Sequence, residues 1–113
     1  MGTADLASDP LISIPDKNIW SFNHEDHHKR ISLALSAKFH IPINDGYLDP
    51  LPENDMSSWL YTHQQLHSTM NYYLGIQGQD LSTTNWANAQ ERAYWIWQNL
   101  TEHINAGTVL GVV

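Results

Sequence analysis

The 113-residue chain contains no cysteine. Disulfides, thiolate ligands and thiol nucleophiles are therefore excluded, and the redox poise of its compartment leaves no mark on it. Basic residues are scarce: five Lys and Arg stand against twelve Asp and Glu, for a formal net charge of −7. So few cations cannot form a basic stripe, and an anionic membrane surface would repel the chain, so neither a nucleic acid nor a membrane is expected as partner. No apolar run approaches the ~18 residues that mark a membrane span. The opening "MGTADLASDP" has neither the basic start nor the apolar run of a signal peptide, so a secreted protein is not expected. Leu6 stands where a myristoylation signal needs Ser or Thr. There is no Gly-x-Ser-x-Gly elbow and no glycine-rich phosphate loop after a strand. Sets such as His63, Asp55 and Ser57 arise in any small protein, so neither enzyme activity nor a small-molecule substrate is expected.

What is present is aromatic and polar. Hydrophobic residues make up 42% of the chain, enough for the core of one domain. Five Trp and five Tyr outnumber two Phe. Trp and Tyr bury large areas while keeping a polar handle, which suits cores that meet polar groups and also interfaces. Only 15% of residues are charged. Asn, Gln, Ser, Thr and His supply the remaining polarity, a surface that suits a subunit packed among neighbours.

Sliding the chain against itself reveals a repeat. Counting from Trp59, Tyr61 stands at +2, His63 at +4, His67 at +8, Met70 at +11 and Leu74 at +15. From Trp95 the same offsets give Trp97, Asn99, His103, Ala106 and Leu110. From Trp20 they give Phe22, His24, His28, Ile31 and Leu35. Flanking matches include Leu74-Gly75-Ile76 with Leu110-Gly111-Val112. At ~100° per residue the offsets 0, +4, +8, +11 and +15 fall within ~80° of one another, and +2 falls at ~200°. Each repeat is thus an amphipathic helix with one continuous stripe and an aromatic projecting the other way.

Helices are expected over about residues 16–38, 55–74 and 85–106. Asp16, Asn54 or Asp55, and Thr84 or Asn85 are candidate caps, with Gly75 and Gly107 at the ends of the second and third helices. The linkers "HIPINDGYLDPLPEND" and "GIQGQDLSTT" are rich in turn residues, and the glycines of the second read as turn glycines. The expected fold is all-α: an antiparallel three-helix bundle over residues 16–113, with residues 1–15 as an extended N-terminal arm. In that arm Leu11, Ile12 and Ile14 can lie over a groove of the bundle.

Five of the seven histidines lie on the stripe: His24, His28, His63, His67 and His103. His27 is beside it. Histidines at i and i+4 on a helix can clamp a transition-metal ion, and facing helices can complete the shell. Against this, Asn99, a poor ligand, replaces a histidine in the third repeat. The Glu-x-x-His pattern of di-iron bundles occurs once, from Glu25 to His28. Glu102 precedes His103, but His27 and Leu66 occupy the matching places in the other repeats. The expectation is therefore a packing stripe made of Trp20, His24, His28, Leu35, Trp59, His63, His67, Leu74, Trp95, Asn99, His103 and Leu110. Its histidines would be hydrogen-bonded to carbonyls, Tyr or one another, with no metal and no cofactor. A small metal-binding bundle using the stripe histidines is the alternative. Phe22, Tyr61 and Trp97, with Trp86, Tyr72 and Tyr94 also off the stripe, are the candidate partner-facing aromatics.

The pattern from Trp20 to Leu110, with "WLYTHQQLH", "DLSTTNW" and "WQNLTEH", resembles small Trp/His-repeat proteins of unassigned activity from tailed-bacteriophage genomes. Asn99, and Ser36 where the other repeats carry glycine after the leucine, depart from it. The resemblance implies a non-enzymatic structural protein of the virion, in head, neck or tail. Its partners would be other virion proteins or copies of itself. It implies no catalytic residues.

Overall fold

The computed structural model describes residues 14–40, 52 and 56–112, with side chains from Trp20 onward. Three helices pack on one another: α1 (Ile14–Phe39), α2 (Ser57–Leu74) and α3 (Ala89–Leu110). The described residues are all-α, a three-helix bundle. Of the expected arm, Ile14 and Pro15 belong to α1, and residues 1–13 lie outside the described residues. So do the candidate caps Asn54 and Asp55.

The helix direction differs from the sequence expectation. The three helices run in the same sense, not antiparallel. Contacts join like positions of the repeats: Trp20, Trp59 and Trp95 meet with ring centroids 5.7–6.2 Å apart. His24 meets His63, and His67 meets His103. An antiparallel pair would set position 0 against +15 and +4 against +11, facing imidazole nitrogens with aliphatic side chains and leaving them unbonded. Same-sense packing places polar against polar. The connections permit it. The segment from Gly75 to Asn88 can extend to roughly 45 Å, longer than the ~27 Å of α2 that it must retrace.

The core is consequently a stack of layers, each with one side chain per helix. Trp20, Trp59 and Trp95 form the first. His24, His63 and Asn99 form the second, and His28, His67 and His103 the third. Ile31, Met70 and Ala106 follow. Buried Leu35, with partly buried Leu74 and Leu110, makes the last. Each end of the stack is thus apolar and its middle is imidazole. Trp20 and Trp59 stack on the histidine one turn along their own helices, His24 and His63, at 4.4 and 5.0 Å.

The linker before α3 is tied to this stack. Gln64 Oε1 accepts the Leu81 amide, and Trp86 packs edge-on against Trp95 at 5.1 Å, so this off-stripe aromatic closes the tryptophan layer. The cap of α3 is Asn88, whose side chain accepts the amides of Gln90 and Glu91. The helix therefore starts later than Thr84 or Asn85 would allow. It also ends later, at Leu110, with Gly111 in the left-handed cap position that Gly75 takes after α2. Gly107 does not terminate it. Gly107 is a buried helical residue onto which the Val112 carbonyl folds, and a Cβ there would collide with that oxygen. Its small size admits the chain end to the core.

Trp59 closes one side of the apolar end and covers His63. Trp59→Ala should lower stability by about 3–5 kcal/mol, read from urea unfolding. A near-neutral result would place Trp59 outside the core.

Candidate metal centre

All five stripe histidines are buried, none more than 4% exposed. Each offers a ring nitrogen, and these nitrogens lie within 4.8 Å of one another. The tightest group is the third layer. His103 Nε2 stands 3.1 Å from His28 Nε2 and 3.2 Å from His67 Nε2. In the layer above, His24 Nε2 and His63 Nε2 are 3.3 Å apart, and both face Asn99 Oδ1, at 3.2 and 2.9 Å. Asn99 Nδ2 is buried without a partner among the described residues.

The outer nitrogens fix where the protons are. A neutral imidazole has one N–H and one lone pair, and a carbonyl or ionised carboxylate only accepts. The Val112 carbonyl oxygen lies 3.3 Å from His27 Nε2, so that nitrogen carries the proton. His27 Nδ1 is then a lone pair, and it accepts from His103 Nδ1–H at 2.6 Å. His103 Nε2 is thereby left with its lone pair pointing inward. On the other side His67 Nδ1–H donates to Glu102 Oε1 at 3.0 Å, so His67 Nε2 also presents a lone pair. Two lone pairs face each other across 3.2 Å in a dry core. An ion between them would satisfy both at once; otherwise His28 Nε2, 3.1 Å from His103 Nε2, can donate a proton to one of them.

Glu102 is ionised. Burial alone would raise its pKa, but the hydrogen bond and electrostatic attraction of His67, with hydrogen bonds from Asn71 Nδ2 (2.7 Å) and Gln98 Nε2 (2.8 Å), outweigh burial and bring it down to about 2. Gly78 seals this carboxylate from outside. A Cβ there would stand 2.9 Å from Glu102 Oε1 and overlap Asn71, so this glycine of the linker is a contact residue rather than only a turn residue. Burial is also the main reason that His24, at about 3, and His27, His28, His63 and His103 all have pKa values below the ordinary histidine range. Neighbouring histidines lower them further, while Asn99 raises His24 and His63 and Val112 raises His27.

The predicted stripe is therefore assembled as a stripe: ten of its twelve members are buried, and Leu74 and Leu110 are partly so. Phe22, Tyr61 and Trp97 stay outside, 72%, 61% and 57% exposed. The expected packing and hydrogen-bonding of the histidines is present, with histidine, Asn99 and Glu102 as partners. Sequence reasoning missed the outer partners. His27 and Glu102 share the position just before +8, the signal that would have singled them out, while Asn71, Gln98 and the Val112 carbonyl carry none. The objection that Asn99 leaves a metal shell short also loses its force, because five nitrogens converge without it.

No protein-family model, curated protein or solved structure matches the chain.

Without metal, the lowered pKa values of His24, His27, His28, His63 and His103 make the fold acid-sensitive. Above pH ~6.5 they are neutral in folded and unfolded chains alike, and their contribution is complete. Below it the unfolded chain takes up protons that the core refuses, so stability falls as pH drops from ~6.5 toward the lowered folded values, by up to ~1.4 kcal/mol per pH unit for each such histidine. Metal-free protein should show a urea midpoint that declines steadily from pH 7 to pH 5. A constant midpoint would contradict a neutral core.

Proposed function

We propose that the bundle is a metal-binding protein that holds one transition-metal ion in its imidazole core. The observation that carries this is the pair of lone pairs on His67 and His103, fixed inward by Glu102 and by the His27–Val112 relay, with His28 Nε2 beside them. A metal with M–N bonds of 2.0–2.1 Å in a tetrahedral shell has N···N edges of about 3.3–3.4 Å. The edges here are 3.1 and 3.2 Å, before any adjustment to an ion. A fourth nitrogen is within reach from His24 or His63 in the layer above, once the proton it gives to Asn99 Oδ1 moves to its other ring nitrogen. Neutral imidazoles suit Zn, Cu, Ni or Fe and not Ca or Mg, which demand oxygen. Carboxylate–His67 and carbonyl–His27–His103 chains are the outer partners that hold ligating histidines in one tautomer. In this reading the chain performs no catalysis: the histidines are buried, and the ion serves the bundle.

Metal analysis of protein loaded and then desalted should find about one ion per chain. His67→Ala or His103→Ala should weaken binding by more than the ~100-fold that loss of an outer partner costs. Retention of no ion by the wild-type chain would return the stripe to pure packing.

A second reading concerns the outer surface, and both can hold for one molecule. Phe22, Tyr61 and Trp97, one per helix, are large and exposed, and Trp97 packs beside exposed Tyr94 at 5.9 Å. Aromatics so placed suit contacts with other proteins. They support the structural role in a tailed-phage particle that the repeat resemblance implies. No helix among the described residues is long and apolar enough to cross a membrane. Trp97→Ala combined with Tyr61→Ala should abolish copurification with particle proteins while leaving the urea midpoint within about 0.5 kcal/mol equivalent of wild type. Undiminished copurification would remove these residues from any interface.

A further inference from the structure

We infer that the ion this core selects is monovalent copper. The inference rests on the metal-binding reading above and concerns which cation the same site takes. It comes from counting charge in the core. Among the described residues the buried polar side chains are six histidines, Ser32, Gln64, Asn71, Gln98, Asn99 and Glu102. Among the described residues Glu102 is the only one of these that carries charge when the rings are neutral, and no buried Lys or Arg accompanies it. All donors that can reach the ion are neutral nitrogens.

A monovalent ion in that shell, with the Glu102 carboxylate one ring away, makes a group of net charge zero. A divalent ion leaves one uncompensated positive charge in the dry core. The cost of burying charge grows with its square, so the divalent ion is penalised and the monovalent one is not. Among metal ions that imidazole binds, copper is the one with an accessible monovalent state. The next layer agrees. Met70, fully buried, lies on the stripe directly below the His28–His67–His103 layer. A thioether is a soft donor that favours copper(I) and offers zinc little.

The third repeat then gains a meaning. Asn99 faces His24 and His63 with an uncharged amide where an acidic residue of nearly the same shape would fit. An aspartate there would be a second carboxylate and would tip the balance to a divalent ion.

The test is a charge series on the whole chain. Affinities for copper(I), kept reduced and anaerobic, and for zinc(II) are measured by competition with chromogenic chelators of known affinity. The wild-type chain should hold copper(I) more tightly. Asn99→Asp should move the copper(I)-to-zinc(II) affinity ratio toward zinc by about 10- to 1000-fold, the range of one to three log units that a neighbouring charge imposes on a buried ionisable group. Glu102→Gln raises the net charge from 0 to +1 with copper(I) and from +1 to +2 with zinc(II). It should weaken both ions and move the ratio the opposite way, further toward copper. Circular dichroism identifies a variant that does not fold, and the other variant then carries the test alone. A wild-type preference for zinc(II), or a ratio unmoved or moved in the wrong direction in a folded variant, overturns the copper(I) assignment and leaves metal binding standing. A wild-type chain that binds neither ion overturns the assignment together with the reading beneath it.

Discussion

The facing lone pairs of His67 and His103 are the constraint on which the rest of the core turns. Everything around them holds those two rings in place. Glu102 fixes one tautomer, and Asn71, Gln98 and Gly78 fix Glu102. His27 fixes the other, and the end of α3 curls over Gly107 so that the Val112 carbonyl can fix His27. A buried polar network held from several sides rigidifies its members only if its centre is satisfied. An ion at that centre would couple folding of the bundle to its own binding, as in small metal-dependent domains.

The apolar ends have a complementary part. Tryptophans close one end and aliphatic side chains the other. Water excluded from both sides strengthens every electrostatic interaction between them. This is why so many neutral imidazoles can occupy positions that in most bundles would be leucine. Their hydrogen bonds go to one another rather than to solvent.

Much of this was legible in the sequence, for a definite reason. Trp20, Trp59 and Trp95 and the histidines after them recur at fixed offsets, and helical geometry turns fixed offsets into a face. Helix number and stripe membership follow from that arithmetic. Helix direction does not, because periodicity is the same read from either end. It is set by which residues face one another across the core, and linkers long enough to return leave the choice open. The centre was half visible. His63 and His67 advertise a clamp, yet Asn99 leaves a gap in any shell that draws equally on every repeat. His27, Glu102 and the Val112 carbonyl act across helices, and contacts of that kind have no signature along the chain. Gly107 has the residue type of a helix stop but here serves a close approach, so the third helix runs a turn beyond it.

Same-sense helices with like residues at like heights are what three separate identical peptides would form by associating around a threefold axis. Such a trimer would carry every feature in threes: three carboxylates or none, three amides or none. Joining the helices in one chain removes that restriction. His27, Leu66 and Glu102 occupy one position of the repeat and differ completely, and Asn99 stands alone among histidines. The returning linkers are therefore more than connectors. They allow a single charge on an axis where geometry alone would demand multiples of three.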